Sequence, residues 1–165
     1  MQSTTRRRGG SMDEKKFRKK LKKAIKSAKT VTTGMVEIVD YEYHEKRDIS
    51  IVIEHREFTS LCPRSGLPDF GTITIRYIPQ EMIIELRSLK FYLLQYRNVG
   101  IFYEHVVNRI LDDLVALVEP LTMEVTGAFN SRGGITTTAK AVYASKCNGA
   151  KEIQRTEGEG PDPRD

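Results

Sequence analysis

The strictest constraint on this chain is the stretch Phe102–Glu119. Phe102, Val106, Ile110, Leu114, Leu117 and Val118 recur there at the spacing of one helical face, and Pro120 stops the run. Such a helix must bury its apolar stripe, and the flanking sequence offers strands to bury it against. Thr72–Ile78 alternates cleanly and ends at Pro79, while Ile49–Ile53 is a β-branched run whose alternation slips by one residue. Met123–Phe129 and Ile135–Ala144 flank a turn at 130–134, where two glycines follow Arg132. A further helix is predicted over Ser88–Arg97, closing at Asn98-Val99-Gly100. The order strand, strand, helix, helix, strand, strand is an α+β pattern, an antiparallel β-sheet with a helix pair on one face. The sheet's other face and its two edges need covering, so a homo-oligomer is expected.

At 165 residues the chain suits one domain. It contains no apolar run of about 18 residues, so no spanning helix and no membrane partner are expected. The opening MQSTTRRRGGSMDEKK has no apolar stretch behind its arginines and reads as no secretory signal. Cys62 and Cys147 are too few for a disulfide scaffold and fit a reducing, cytoplasmic setting. Charge is divided unevenly. Residues 1–30 carry twelve Lys or Arg against Asp13 and Glu14, a net of +10, whereas the remaining fifteen basic and twenty acidic groups give −5. Met12–Lys29 is predicted as a basic amphipathic helix with Phe17, Leu21, Ile25 and Ala28 on one face. It suits a solvated arm or a docking helix, and RNA contact is open without being favoured. Asn148–Asp165 is almost without apolar residues and is expected to be a disordered tail.

Three segments can carry chemistry. In Phe58-Thr59-Ser60-Leu61-Cys62-Pro63 a cysteine stands just before proline in a loop, and Asp69 follows seven residues later at the start of the next strand. A Ser65-Gly66 turn can fold the two together as thiolate nucleophile and proton-passing carboxyl, or they are a structural cysteine and a turn aspartate. In Glu85-Leu86-Arg87-Ser88-Leu89-Lys90, Arg87 and Lys90 share a helix face and can hold a phosphate, with Arg132 as a third cation, or are solvated. Glu104, opening the long helix, fits a guanine-like edge if buried, or is a helix-start glutamate favoured by the macrodipole. No local pattern selects His44, His55 or His105, no close-spaced ligand pair supports a metal site, and no glycine-rich phosphate loop occurs.

Together FTSLCPRSGLPDFGTITIRYIP, ELRSLKFYLLQYRN, FYE and FNSRGGI, spread from about Arg56 to Tyr143, resemble the QueF family, NADPH-dependent nitrile reductases of queuosine biosynthesis in tRNA modification. The resemblance implies a tunnelling fold (T-fold) whose sheets close into rings by oligomerisation, stacked rings forming a homo-oligomer with a decamer the expected form. It implies reduction of 7-cyano-7-deazaguanine to 7-aminomethyl-7-deazaguanine with NADPH. Cys62 then matches the nucleophile that forms a covalent thioimide and Asp69 the proton donor, with two hydride transfers completing the reduction. Glu104 matches the base-recognising glutamate, Tyr103 lies beside it in the substrate site, and Ile84, Glu85 and Leu86 match the substrate-pocket stretch. Arg87, Lys90 and Arg132 match positions meeting the NADPH phosphates. Residues 31–147 are the implied catalytic domain, between the arm 1–30 and the tail 148–165. Tyr103 stands where the family commonly has histidine and Arg87 where lysine is usual, and the arm lies outside the resemblance. Two rivals remain: a related tunnelling-fold protein that resolves the thioimide with an amine donor, and an RNA-binding assembly factor.

Overall fold

Strand alternation decides which side of the sheet carries the core. In the computed structural model, which describes residues 25–145 together with Lys15, Lys16, Lys19 and Lys23, four strands form one antiparallel sheet. They are β2 (Ile51–Leu61), β3 (Pro68–Ile78), β5 (Thr122–Arg132) and β6 (Ile135–Ala144), in the order β2-β3-β5-β6. Two short strands, β1 (Ile38–Asp40) and β4 (Met82–Ile84), pair separately. Ile73, Ile75 and Tyr77 of β3 and Met123, Val125 and Phe129 of β5 are buried on one face. Helices α1 (Leu86–Leu94) and α2 (Tyr103–Val118) cover that face, α2 with Val106, Val107, Ile110, Leu111, Leu114 and Val118 buried. Each such side chain contributes about 1.5–3 kcal/mol. A missing N-cap costs only about 1 kcal/mol, so packing holds α2 although its N-cap Phe102 makes no side-chain bond. The opposite face leaves Val52, Phe70 and Val142 exposed.

The α+β expectation holds, with its elements longer or shorter than read. β2 runs on through Leu61, and a register shift between His55 and Phe58 absorbs the slip in its alternation. β3 starts at Pro68, and β5 continues through Asn130–Arg132, leaving Gly133 and Gly134, at φ 57° and 82°, as a two-residue turn. The first helix stops at Leu94 and tightens into a 3-10 turn over Gln95–Asn98. The Met12–Lys29 helix lies largely outside the described residues. Lys15, Lys16, Lys19 and Lys23 are helical and exposed, but Ala28–Thr30 is a 3-10 turn capped by Ser27. The helix has ended by then because Lys26 spends its backbone on neighbours: its N–H donates to Asn98 O (2.8 Å) and its carbonyl accepts from Gly100 N (3.0 Å). The tail 148–165 and Cys147 also lie outside the described residues. No helix among the described residues is long and apolar enough to cross a membrane.

Candidate active site

The β2–β3 hairpin is closed by Cys62–Leu67, and the backbone of Cys62 ties both ends of that loop. Its N–H donates to Leu67 O (2.9 Å) and its carbonyl accepts from Gly66 N (2.8 Å), with Gly66 at φ 76°. Register therefore resumes at once, Leu61 facing Pro68 and Ser60 facing Asp69. On the other side of β2, Leu61 N donates to Val99 O (2.9 Å) and Ile101 N to Leu61 O (3.1 Å). The residue before the cysteine is thus pinned from two directions.

Asp69 is buried, 3% exposed, and its Oδ1 takes two polar contacts. Tyr103 Oη donates to it at 2.5 Å and Arg132 Nη2 lies 2.7 Å away. Arg132 also donates to the Pro68 carbonyl (2.5 Å), so β5 clamps the start of β3. The phenol is aimed by stacking: the Tyr103 ring lies on Phe129 at 3.8 Å between centroids and 11° between planes. Two glycines make room for Phe129. A Cβ on Gly127 would lie 2.8 Å from the Phe129 ring and 2.9 Å from Val107, and one on Gly71 only 2.6 Å from Ala128 O. Burial, then the bond to Asp69, push the Tyr103 phenol up to about 12, so it stays protonated at neutral pH.

Cys62, Pro63, Asp69, Ile101, Phe102, Tyr103, Glu104 and Arg132 line a cavity of about 200 Å³. Burial pushes the Cys62 thiol up, but hydrogen bonds from the Ser65 hydroxyl and the Ser65 and Arg64 amides outweigh it, and the thiol ends below its ordinary value. A half-buried thiol of this kind, opening on a cavity beside a fixed carboxyl group, is equipped for nucleophilic addition with proton transfer.

The structure brings together Cys62, Asp69, Tyr103, Glu104 and Arg132, but not the second predicted segment. Glu85 caps α1, accepting from Arg87 N (2.8 Å) and Ser88 N (2.6 Å); these bonds hold its carboxyl below the usual range. Ile84 is buried, and its N–H donates to Tyr77 Oη (3.1 Å). Leu86 is 60% exposed. Glu85 and Arg87 line a different depression with Met35, Glu37, Ser88 and Phe91. Lys90 faces His55 on β2, whose pKa is lowered by burial and then, against the pull of Glu57, by that lysine. His55 and Cys62 are seven residues apart on an extended run, ~20 Å at strand rise.

Two placements differ from the sequence reading. Glu104 is exposed, in the first turn of α2 at the edge of the cavity, so the burial on which its base-recognising role is conditioned is not met within the single chain. Arg132, expected at a cofactor phosphate, is spent on Asp69 and Pro68, because β5 extends far enough to carry it there. Ser65 is read from sequence only as a turn former, and Phe129, Gly71 and Gly127 are not singled out; a glycine inside each of two alternating strands is the available signal for the last two. None of His44, His55 or His105 lines the cavity.

A family model described as QueF-like protein matches residues 68–148. The NADPH-dependent 7-cyano-7-deazaguanine reductase of Chloroherpeton thalassium is 52% identical over 112 residues, covering 68% of this chain and 96% of that protein. The reductase of the same name from Caldicellulosiruptor bescii is 55% identical over 113 residues, covering 68% and 86%. The chain belongs to the QueF family. Among solved structures, the archaeosine synthase QueF-Like in the apo form superposes with a TM-score of 0.55 at 23% identity, over 58% of this chain and 94% of that one. That likeness is one of fold, and it agrees with the expected T-fold for this QueF-family chain.

Proposed function

We propose that this chain reduces the nitrile of 7-cyano-7-deazaguanine to the aminomethyl group with NADPH, in the cytoplasm, as a step of queuosine biosynthesis. The relatives' shared activity supports the reaction. The observation that carries it to this chain is the half-buried, acidified Cys62 thiol on a 200 Å³ cavity with Asp69. Cys62 Sγ, as the thiolate, adds to the nitrile carbon as Asp69 passes a proton to the nitrogen, giving a thioimide whose C=N bond accepts hydride far better than a nitrile does. NADPH supplies that hydride, twice. Between the two deliveries the Cys62 thiolate leaves the reduced carbon, freeing an imine that takes the second hydride. Tyr103 and Arg132 hold Asp69 Oδ1 throughout, so the carboxyl group keeps its place while its charge changes. Glu104, which lines the cavity and is exposed until a bound base covers it, receives the ring N–H and exocyclic amine of the base.

The exposed cations Arg87 and Lys90 suit NADPH phosphates chemically. The α1 amides of Arg87 and Ser88 are already taken by Glu85, so side chains alone serve there. Arg132 does not fit that role. Because Ile84–Lys90 lies away from its own chain's Cys62 cavity, the site is completed by a second copy, which also covers the open sheet edges in a ring. The catalytic unit is 31–147, joined by the end of the arm through Lys26.

The test is direct. Protein mixed with 7-cyano-7-deazaguanine and NADPH should consume two equivalents of NADPH per nitrile; bound substrate with no NADPH oxidised overturns the proposal. With NADPH withheld, intact mass should rise by the substrate's weight at Cys62.

A further inference from the structure

Among the described residues, one buried side-chain polar atom has no hydrogen-bond partner in the protein: Ser60 Oγ. Ser60 is 1% exposed, so the hydroxyl is not hydrated at the surface either. A buried hydroxyl left in that state is destabilising, a cost that alanine would avoid. Backbone adjustment cannot relieve it. β2 is bonded to β3 on one side, and on the other Leu61 is bonded to Val99 and Ile101. The position is set by the same frame that sets Cys62.

Its neighbour across the strand pair gives the reason. Ser60 stands directly opposite Asp69, and directly opposed residues of an antiparallel pair share a face, with Cβ atoms about 4.5–5.5 Å apart. Both are buried on that face. Around Asp69 the other polar groups are Tyr103 from α2, Arg132 from β5 and Cys62 from the hairpin loop. The first two both engage Oδ1. Asp69 Oδ2 makes no hydrogen bond among the described residues, and across the strand pair lies a hydroxyl without an acceptor.

We infer that Ser60 is a positioning residue for Asp69, its hydroxyl turning to donate to Oδ2 once the carboxyl group has given up its proton. The inference rests on the reaction proposed above. In the adding step the Cys62 thiolate forms the S–C bond, one C–N π bond breaks, and the nitrogen takes the Asp69 proton. Oδ2 changes from donor to bare acceptor, and Ser60, which keeps its own proton throughout, then finds its missing partner. The bond exists after proton transfer and not before, so it favours the step rather than the bound substrate.

Ser60→Ala tests this, with Ser60→Thr as the variant that keeps a hydroxyl. For Ser60→Ala we expect a melting temperature equal to or above that of the parent, KM for the nitrile within about twofold, and kcat lowered about tenfold, as for loss of one transition-state hydrogen bond. Ser60→Thr should recover most of that loss. Unchanged kcat in Ser60→Ala, or a lowered melting temperature with activity falling in proportion, overturns the inference. A parent protein that binds the nitrile but oxidises no NADPH overturns the proposed reaction as well, whereas a normal parent beside a normal Ser60→Ala variant overturns the role of Ser60 alone.

Discussion

The Cys62 end of the hairpin and the Ile84–Lys90 stretch carry equally recognisable motifs, yet the fold treats them differently. The first is self-sufficient: one loop, the start of β3, the end of β5 and the first turn of α2 bring thiol, carboxylate, phenol and guanidinium around one cavity. The second is turned to a separate depression and spends its glutamate on capping its own helix. Reactive groups need sub-ångström placement, which covalent neighbours and paired strands supply cheaply. Groups that grip the ends of a substrate or cofactor tolerate supply from another chain. On the proposed reading, bond-making is the task of one protomer and gripping a task shared between two.

The largest effect expected is at the self-sufficient end. Cys62→Ala should abolish both the mass adduct and turnover, whereas Asp69→Asn should retain some adduct and lose about 10²–10⁴-fold in kcat, the range of general acid catalysis. Equal activity in Asp69→Asn would reduce that residue to a turn former. Subunit mixing breaks or sharpens the comparison itself. Chains carrying Cys62→Ala and chains carrying Arg87→Glu with Lys90→Glu should each be inactive. Co-assembled from denatured mixtures, they should regain activity approaching about a quarter of the parent level if each site draws on two copies. No recovery in a properly sized assembly would mean that one chain supplies both halves.

How far sequence reached follows the same division. The long helix and β6 were legible with near-correct limits because their apolar periods are long and uninterrupted. β1 and β4 were not, since three residues carry no period. Cys62 and Asp69 were legible as a pair because a short hairpin loop separates them. Arg132 was legible as a cation but not as the partner of Asp69, a contact that exists only once β3 and β5 are in register. Ser60 carried no signal at all, since a serine beside a cysteine is ordinary until the strand pairing shows what faces it.

A smaller effect is expected at Tyr103. Tyr103→Phe keeps the stack on Phe129 and removes one bond to Asp69, so kcat should fall about tenfold with little change in stability, read by steady-state kinetics beside thermal melting. Tyr103→His should add a limb to the rate profile near the ordinary histidine value of about 6.5, absent in the parent because the phenol stays protonated until about 12. A parent profile that already bends there would assign that limb to another group.

The smallest effect concerns the thiol's acidity. The Ser65 hydroxyl is the first of the bonds that bring Cys62 below its ordinary value against burial, so Ser65→Ala should move the midpoint of iodoacetamide alkylation upward in pH. The sign is fixed by which form the bond favours. A donor stabilises thiolate, so removing it leaves less thiolate at neutral pH and slower alkylation there, while the rate well above the midpoint is unchanged. A midpoint that stays put would assign the acidity to the Ser65 and Arg64 amides, and so to the hairpin backbone that closes on Cys62 rather than to any side chain.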